Sequence, residues 1–105
     1  MSPANQLDPV KAAQGFSAMG SEARLEVLQL LVKAGTDGLP VGDIQSRTGI
    51  VASTLAHHLK FLAAADLILQ EKQGRSIISR ANYEHLETLA GFILTECCVD
   101  QEVRT

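Results

Sequence analysis

Apolar residues recur with a helical period along most of the chain, and the period shortens to two only between Leu67 and Arg80. From Val51 the apolar positions Leu55, Leu59 and Leu62 follow a spacing of four and then three, which predicts a helix over about 51–64 with one buried face. Its other face offers Ser53, Thr54, His57, His58 and Lys60. Upstream, Ile44 to Thr48 closes a shorter helix that begins near Val41, and Gly49 supplies the turn because glycine takes positive φ cheaply. Downstream, Leu67–Lys72 and Ser76–Arg80 are β-prone runs separated by Gln73-Gly74-Arg75, a hairpin with Gly74 at its tip.

The remaining segments read as helices. Asp8-Pro9 is a start signal, with Asp as N-cap and Pro at the first helical position, and Val10, Ala13, Phe16 and Ala18 carry that helix to Gly20. Ser21 caps a second helix whose Leu25, Leu28, Leu31 and Val32 are expected to face inward, ending at Gly35. Thr36 to Pro40 is a turn-rich linker. A last helix is predicted over about 82–98, with Leu86, Leu89, Ile93 and Cys97 on one stripe that Ala90 and Leu94 widen. Helix, turn, helix and hairpin in this order form a winged helix-turn-helix, a DNA-reading module. The expected fold is mainly α with a small β-hairpin wing at about 67–80, built as one domain over residues 1–105.

The chain has 105 residues, near the size at which a lone core is only moderately stable. The apolar stripe of the last helix has no later element to cover it. Helices 8–19 and 82–98 are therefore expected to form a symmetric dimer, which places two recognition helices about one DNA turn apart. Packing within a single subunit is the alternative. Net charge is −3, yet residues 43–80 carry five basic against three acidic groups while the rest of the chain carries four against nine. Positive charge thus gathers where DNA would lie, and a modest surplus per subunit again favours two subunits. No apolar run is long enough for a bilayer, and Met1 to Gln6 lacks the basic and apolar regions of a signal peptide. The expected setting is the reducing cytoplasm, where the two cysteines are thiols.

The run Ser53-Thr54-Leu55-Ala56-His57-His58-Leu59-Lys60-Phe61-Leu62, followed by Ala65-Asp66-Leu67-Ile68 and then Gly74-Arg75, resembles the ArsR/SmtB family of bacterial metalloregulatory repressors. That family carries a Ser-Thr-x-x-x-His-Leu-x-x-Leu recognition helix, an Ala-Gly-Leu-Val turn and a Gly-Arg wing. Ser21 to Leu28 is similar to its Pro-x-Arg-x-x-Ile-Leu helix, so the resemblance covers about residues 15–85. Asp66 stands where the family usually has Gly, although Asp adopts the left-handed conformation less readily. The resemblance implies a dimeric repressor that binds double-stranded operator DNA. It does not extend to the family's metal sites. Val41-Gly42-Asp43-Ile44 replaces the Cys-Val-Cys arsenic motif, and Asn82, Glu84 and His85 match only half of the zinc constellation on the last helix.

Cys97 and Cys98 are the only cysteines, and they are adjacent. Buried cysteine often merely packs, but successive helical positions point about 100° apart, so a core needs only one of the pair. Fraying of the helix into the polar tail would let both sulfurs face one atom. Two thiols without a nearby His do not complete a four-ligand zinc site, but they suit a thiophilic centre that takes two sulfurs. Trivalent arsenic bearing one organic group, such as methylarsenite, fits. Inorganic arsenite prefers three sulfurs. The pair is similar to that of arsenical-responsive members of the family, which implies a trivalent arsenical as effector and no permanent cofactor. A repressor responsive to another soft metal or to thiol oxidation is the alternative, but the helix C-terminus and Glu96, Asp100 and Glu102 disfavour the thiolate that a redox sensor needs. Bond geometry also resists a disulfide between neighbours.

Ser53, Thr54 and His57 are the expected base-edge contacts, with Lys60, Lys72 and Arg75 on phosphates. His58 follows the buried leucine face and is expected to pack. A winged-helix module that binds protein instead of DNA is a further alternative, against which the basic wing argues. No paired carboxylates, activated nucleophile or phosphate loop points to an enzyme.

Overall fold

A computed structural model describes residues 7–95 and 97–100. In chain order the elements are α1 (Pro9–Met19), α2 (Glu22–Ala34), β1 (Leu39–Pro40), α3 (Val41–Thr48), α4 (Ala52–Ala64), β2 (Ile68–Gln73), β3 (Ser76–Ala81) and α5 (Tyr83–Leu94). Local chemistry sets most boundaries. The Asp8 carboxylate accepts from the Val10 amide at 2.8 Å, the Ser21 hydroxyl from Arg24 at 3.3 Å and the Asn82 side chain from His85 at 3.3 Å. Each satisfies an amide that the helix itself leaves without a partner. Gly49 ends α3 at φ 73°, the left-handed turn that swings the chain into α4. Asp66 takes φ 63° where glycine was the expectation, and the turn survives because the Asn82 amide donates to its carbonyl at 2.9 Å while Lys11 pairs with its carboxylate at 3.1 Å.

Val27, Leu28 and Leu31 of α2, Ile44 of α3 and Leu55, Leu59 and Leu62 of α4 pack into one core with Leu67, Ile68 and Leu89. At about 1.5 to 3 kcal/mol per fully buried side chain, the three α4 leucines fix which face of that helix reaches solvent. In α2 the expected inward set is corrected. Leu25 and Val32 are exposed and Val27 is buried, because the face that meets the core runs through 24, 27, 28 and 31.

The wing is larger than a hairpin. β1 adds a third antiparallel strand in the order β1-β3-β2, pairing Leu39 with Ser79 and Pro40 with Ile78. Two residues are too few to show an alternating pattern, which is why 36–40 read as linker. β2 and β3 pair from Ile68↔Ala81 to Gln73↔Ser76, leaving Gly74-Arg75 as the loop with Gly74 at φ 63°. Strand boundaries accordingly run from 68 to 81 instead of 67 to 80, and Val51 is the cap of α4 instead of its first residue.

The last helix is also shorter than expected. It stops at Leu94, so Cys97 is not on its stripe and both cysteines lie in the turn that follows. Leu86 and Leu89 face inward. Ile93 and Leu94 do not, at 65% and 62% exposed. α1 crosses α5 at Gly15, where an added Cβ would stand 2.8 Å from a Leu89 methyl.

Candidate nucleic-acid interface and effector site

With its leucines buried, α4 presents Ser53, Thr54, His57 and Lys60 to solvent on the opposite side. These are the short hydroxyls, imidazole and ammonium that reach base edges and phosphates in a major groove. Lys72 and Arg75 are exposed on the wing, Arg75 within the tip loop. All six residues expected at a DNA surface are therefore solvent-facing on α4 and the wing. Among the described residues the ion pairs are Lys11–Asp66 and Arg80–Glu71. Arg80 is thereby neutralised within the wing, whereas Lys60, Lys72 and Arg75 are exposed and outside these ion pairs. Arg47, exposed on the last turn of α3, joins these free cations. Its charge was visible in sequence, but the helix pattern did not assign it to the interface.

The histidines divide as the helix phase requires. His57 is exposed and its ring packs against Phe61, with centroids 5.0 Å apart and planes at 80°. His58 is half-buried, and its Nδ1 is sealed from solvent without a hydrogen-bond partner. Burial, and then the nearby Arg24 and His57 charges, hold its pKa below the ordinary imidazole value.

Beyond α5 the chain turns through Thr95, whose hydroxyl donates to the Gly91 carbonyl at 2.8 Å, and the Cys97 amide donates to the Leu94 carbonyl at 2.9 Å. Cys98 then takes φ 65°, uncommon for a residue with a side chain. The outcome is that both thiols are exposed and their sulfurs lie 3.1 Å apart. On an unbroken helix they would point in different directions. The Cys98 thiol beside it, and to a lesser degree burial, raise the Cys97 pKa above its ordinary value. Of the acids expected to act on this pair, Asp100 is exposed, while Glu96 and Glu102 lie outside the described residues. Among the described residues no three His, Cys, Asp or Glu side chains come together as a metal cage. The half-matched zinc set is split accordingly, with Glu84 exposed and the buried His85 Nε2 lacking a partner.

Comparison with known proteins agrees with this geometry. Residues 19–71 match the family described as a helix-turn-helix domain. The chain is 31% identical over 91 residues to the uncharacterized HTH-type transcriptional regulator YceK of Bacillus subtilis (strain 168), covering 86% of this chain and 90% of that protein. It is 30% identical over 87 residues to the HTH-type transcriptional regulator NmtR of Mycobacterium tuberculosis (strain ATCC 25618 / H37Rv), covering 83% and 72%. Among solved structures it superposes on an ArsR-like transcriptional regulator from Rhodococcus sp. RHA1 with a TM-score of 0.74 and 27% identity, over 90% of this chain and 86% of that one. The family match, relatives named as transcriptional regulators and the superposition on an ArsR-like regulator agree with the helix, turn, helix and wing order, and the chain belongs to the ArsR family of winged helix-turn-helix, DNA-binding transcriptional regulators.

Proposed function

We propose that this regulator is a homodimeric repressor that leaves its operator when Cys97 and Cys98 capture a trivalent arsenical, an organoarsenical such as methylarsenite in preference to arsenite. The observation that carries the reading is the pair of exposed sulfurs 3.1 Å apart. With metal–sulfur bonds of about 2.3 Å, as in zinc thiolates, two sulfurs on one centre at bond angles near 90–110° are separated by about 3.2 to 3.8 Å. The turn after α5 brings the thiols close to that bite before any ligand arrives.

The chemistry suits the thiol pKa. In the condensation two S–H bonds and two As–OH bonds break, two As–S bonds form, and two waters leave. No thiolate has to accumulate, so the raised Cys97 pKa does not oppose the product. Oxidation by peroxide, in contrast, runs through a thiolate, which the raised Cys97 pKa disfavours at that sulfur. Arsenite carries a third hydroxyl for which the described residues offer no third thiol.

DNA recognition is assigned to Ser53, Thr54 and His57 on base edges and to Lys60, Lys72 and Arg75 on phosphates. Exposed Ile93 and Leu94 on α5, beside α1, support a second subunit as the cover of this face. Capture at the end of α5 then favours a subunit arrangement whose two α4 helices no longer match the half-site spacing. A coupling of about 1 to 3 kcal/mol changes operator affinity some 5- to 150-fold. A repressor working on operator DNA would act in the cytoplasm, and no described helix is long and apolar enough to cross a membrane.

The test is DNA release titrated with methylarsenite, arsenite, zinc and peroxide, on the parent and on Cys97→Ser and Cys98→Ser. Methylarsenite should release the parent at the lowest concentration, and both variants should stay bound. Release of both variants at the parent's concentration refutes a thiol site, and release by peroxide alone makes the pair a redox sensor. Failure to bind any operator by gel shift would leave a protein-interaction module instead.

A further inference from the structure

Phe61 is a large aromatic left 47% exposed on the helix that meets DNA, four residues after His57 and so on the same side one turn on. It is not loose. The Arg24 guanidinium from α2 lies 4.9 Å from its ring centroid, and Arg24 is itself anchored by a hydrogen bond from Nε to the Ala18 carbonyl at the end of α1. The His57 ring meets Phe61 nearly perpendicular at 5.0 Å. Toward α1, Phe61 borders a groove of about 700 Å³ with Val10, Ala13 and Ser17. The buried leucines fix the phase of α4, and the close perpendicular ring contact of the exposed His57 imidazole is with Phe61.

We propose that Phe61 is a positioning residue for DNA recognition, holding the His57 imidazole in one orientation through the perpendicular ring contact while Arg24 holds Phe61. The proposal rests on His57 as a base-edge contact. An exposed histidine has two free side-chain torsions, and fixing them on the operator weakens binding. Fixing them beforehand removes that cost. Arg24 over the Phe61 ring keeps the imidazole from sliding into a parallel stack there, leaving the perpendicular contact. Phe61 therefore contributes to operator affinity without touching DNA.

The test is a double-mutant cycle on operator affinity with the parent, His57→Ala, Phe61→Leu and the double variant, alongside the salt dependence of each and the ring-proton shifts of His57 in the free protein. Phe61→Leu should weaken binding about 2- to 10-fold, the scale of one aromatic pair. Its salt slope should match the parent's, because no phosphate contact is lost. The double variant should bind no worse than His57→Ala. The His57 ring-proton shifts should move toward free imidazole in Phe61→Leu and stay in Phe61→Tyr, which keeps the ring and should keep the affinity. If His57→Ala binds as the parent does, the base-contact reading fails and takes the proposal with it. If His57→Ala weakens binding but the two losses add, or the imidazole shifts do not move, the His57 reading stands and the role of Phe61 is refuted.

Discussion

Two neighbouring histidines on α4 have opposite fates because consecutive helical positions point about 100° apart. His57 faces solvent, while His58 is half-buried with a sealed Nδ1 and a pKa pushed down by burial, Arg24 and His57. The sign of the consequence follows from linkage. As the pH falls through about 6.5 the unfolded chain takes a proton that folded His58 refuses, so stability declines with acidification and levels off once the folded pKa is passed. Urea midpoints at matched protein concentration should therefore drop between pH 7.5 and pH 5.5, and drop less in His58→Gln. Equal losses would assign the acid sensitivity to other groups. The identities and exposure of Ser53, Thr54, His57 and Lys60 were legible because three leucines at helical spacing fix a helix's phase, whatever it packs against. The contact that Phe61 makes with Arg24 was not, since it joins residues 37 positions apart on two helices.

At the level of elements, capping and turn chemistry carried most of the boundaries, since Asp8-Pro9, Ser21, Gly49 and Asn82 each act on neighbours within a few residues. Where a boundary depended on a distant partner, the sequence pattern missed it. β1 exists only because β3 offers it an edge, and Gly38 shows how close that approach is. At φ 69° it has no Cβ, and one would collide with the Ser79 carbonyl, in the strand to which β1 pairs. Gly38→Ala should cost about 1 to 3 kcal/mol, and about 4 to 8 °C in Tm per kcal/mol. Gly49→Ala, in the ordinary left-handed region at φ 73° and ψ 8° with open space around it, should cost less in the same thermal melt. Equal losses would mean that backbone conformation alone sets the cost and that the β1–β3 approach contributes nothing.

On the scale of the whole molecule, one subunit leaves unfinished surfaces. Ile93 and Leu94 end α5 in solvent, and the free cations of α4 and the wing are too few for a lone subunit to bind DNA tightly at physiological salt. The proposed dimer would answer both, burying apolar surface and doubling the phosphate contacts assigned to each subunit. Replacing Ile93 and Leu94 together by Asp should shift sedimentation from dimer toward monomer and flatten the salt dependence of operator binding by about half. A variant that remains dimeric at the parent's concentration would place the interface elsewhere.

What the amino-acid order determined by itself was everything that acts within a few residues: helix phase, caps, the glycine turns, the polar face of α4 and the charge of the segment around it. Only the folded chain decided that α5 stops at Leu94, that a third strand completes the wing, that Arg80 is spent on Glu71 and that two thiols meet across a left-handed Cys98. The physical reason is range. Propensity and capping are local free energies that a sequence window contains, whereas strand pairing, ion pairing across strands and the direction of a side chain beyond a helix end are set by groups that only tertiary structure brings together.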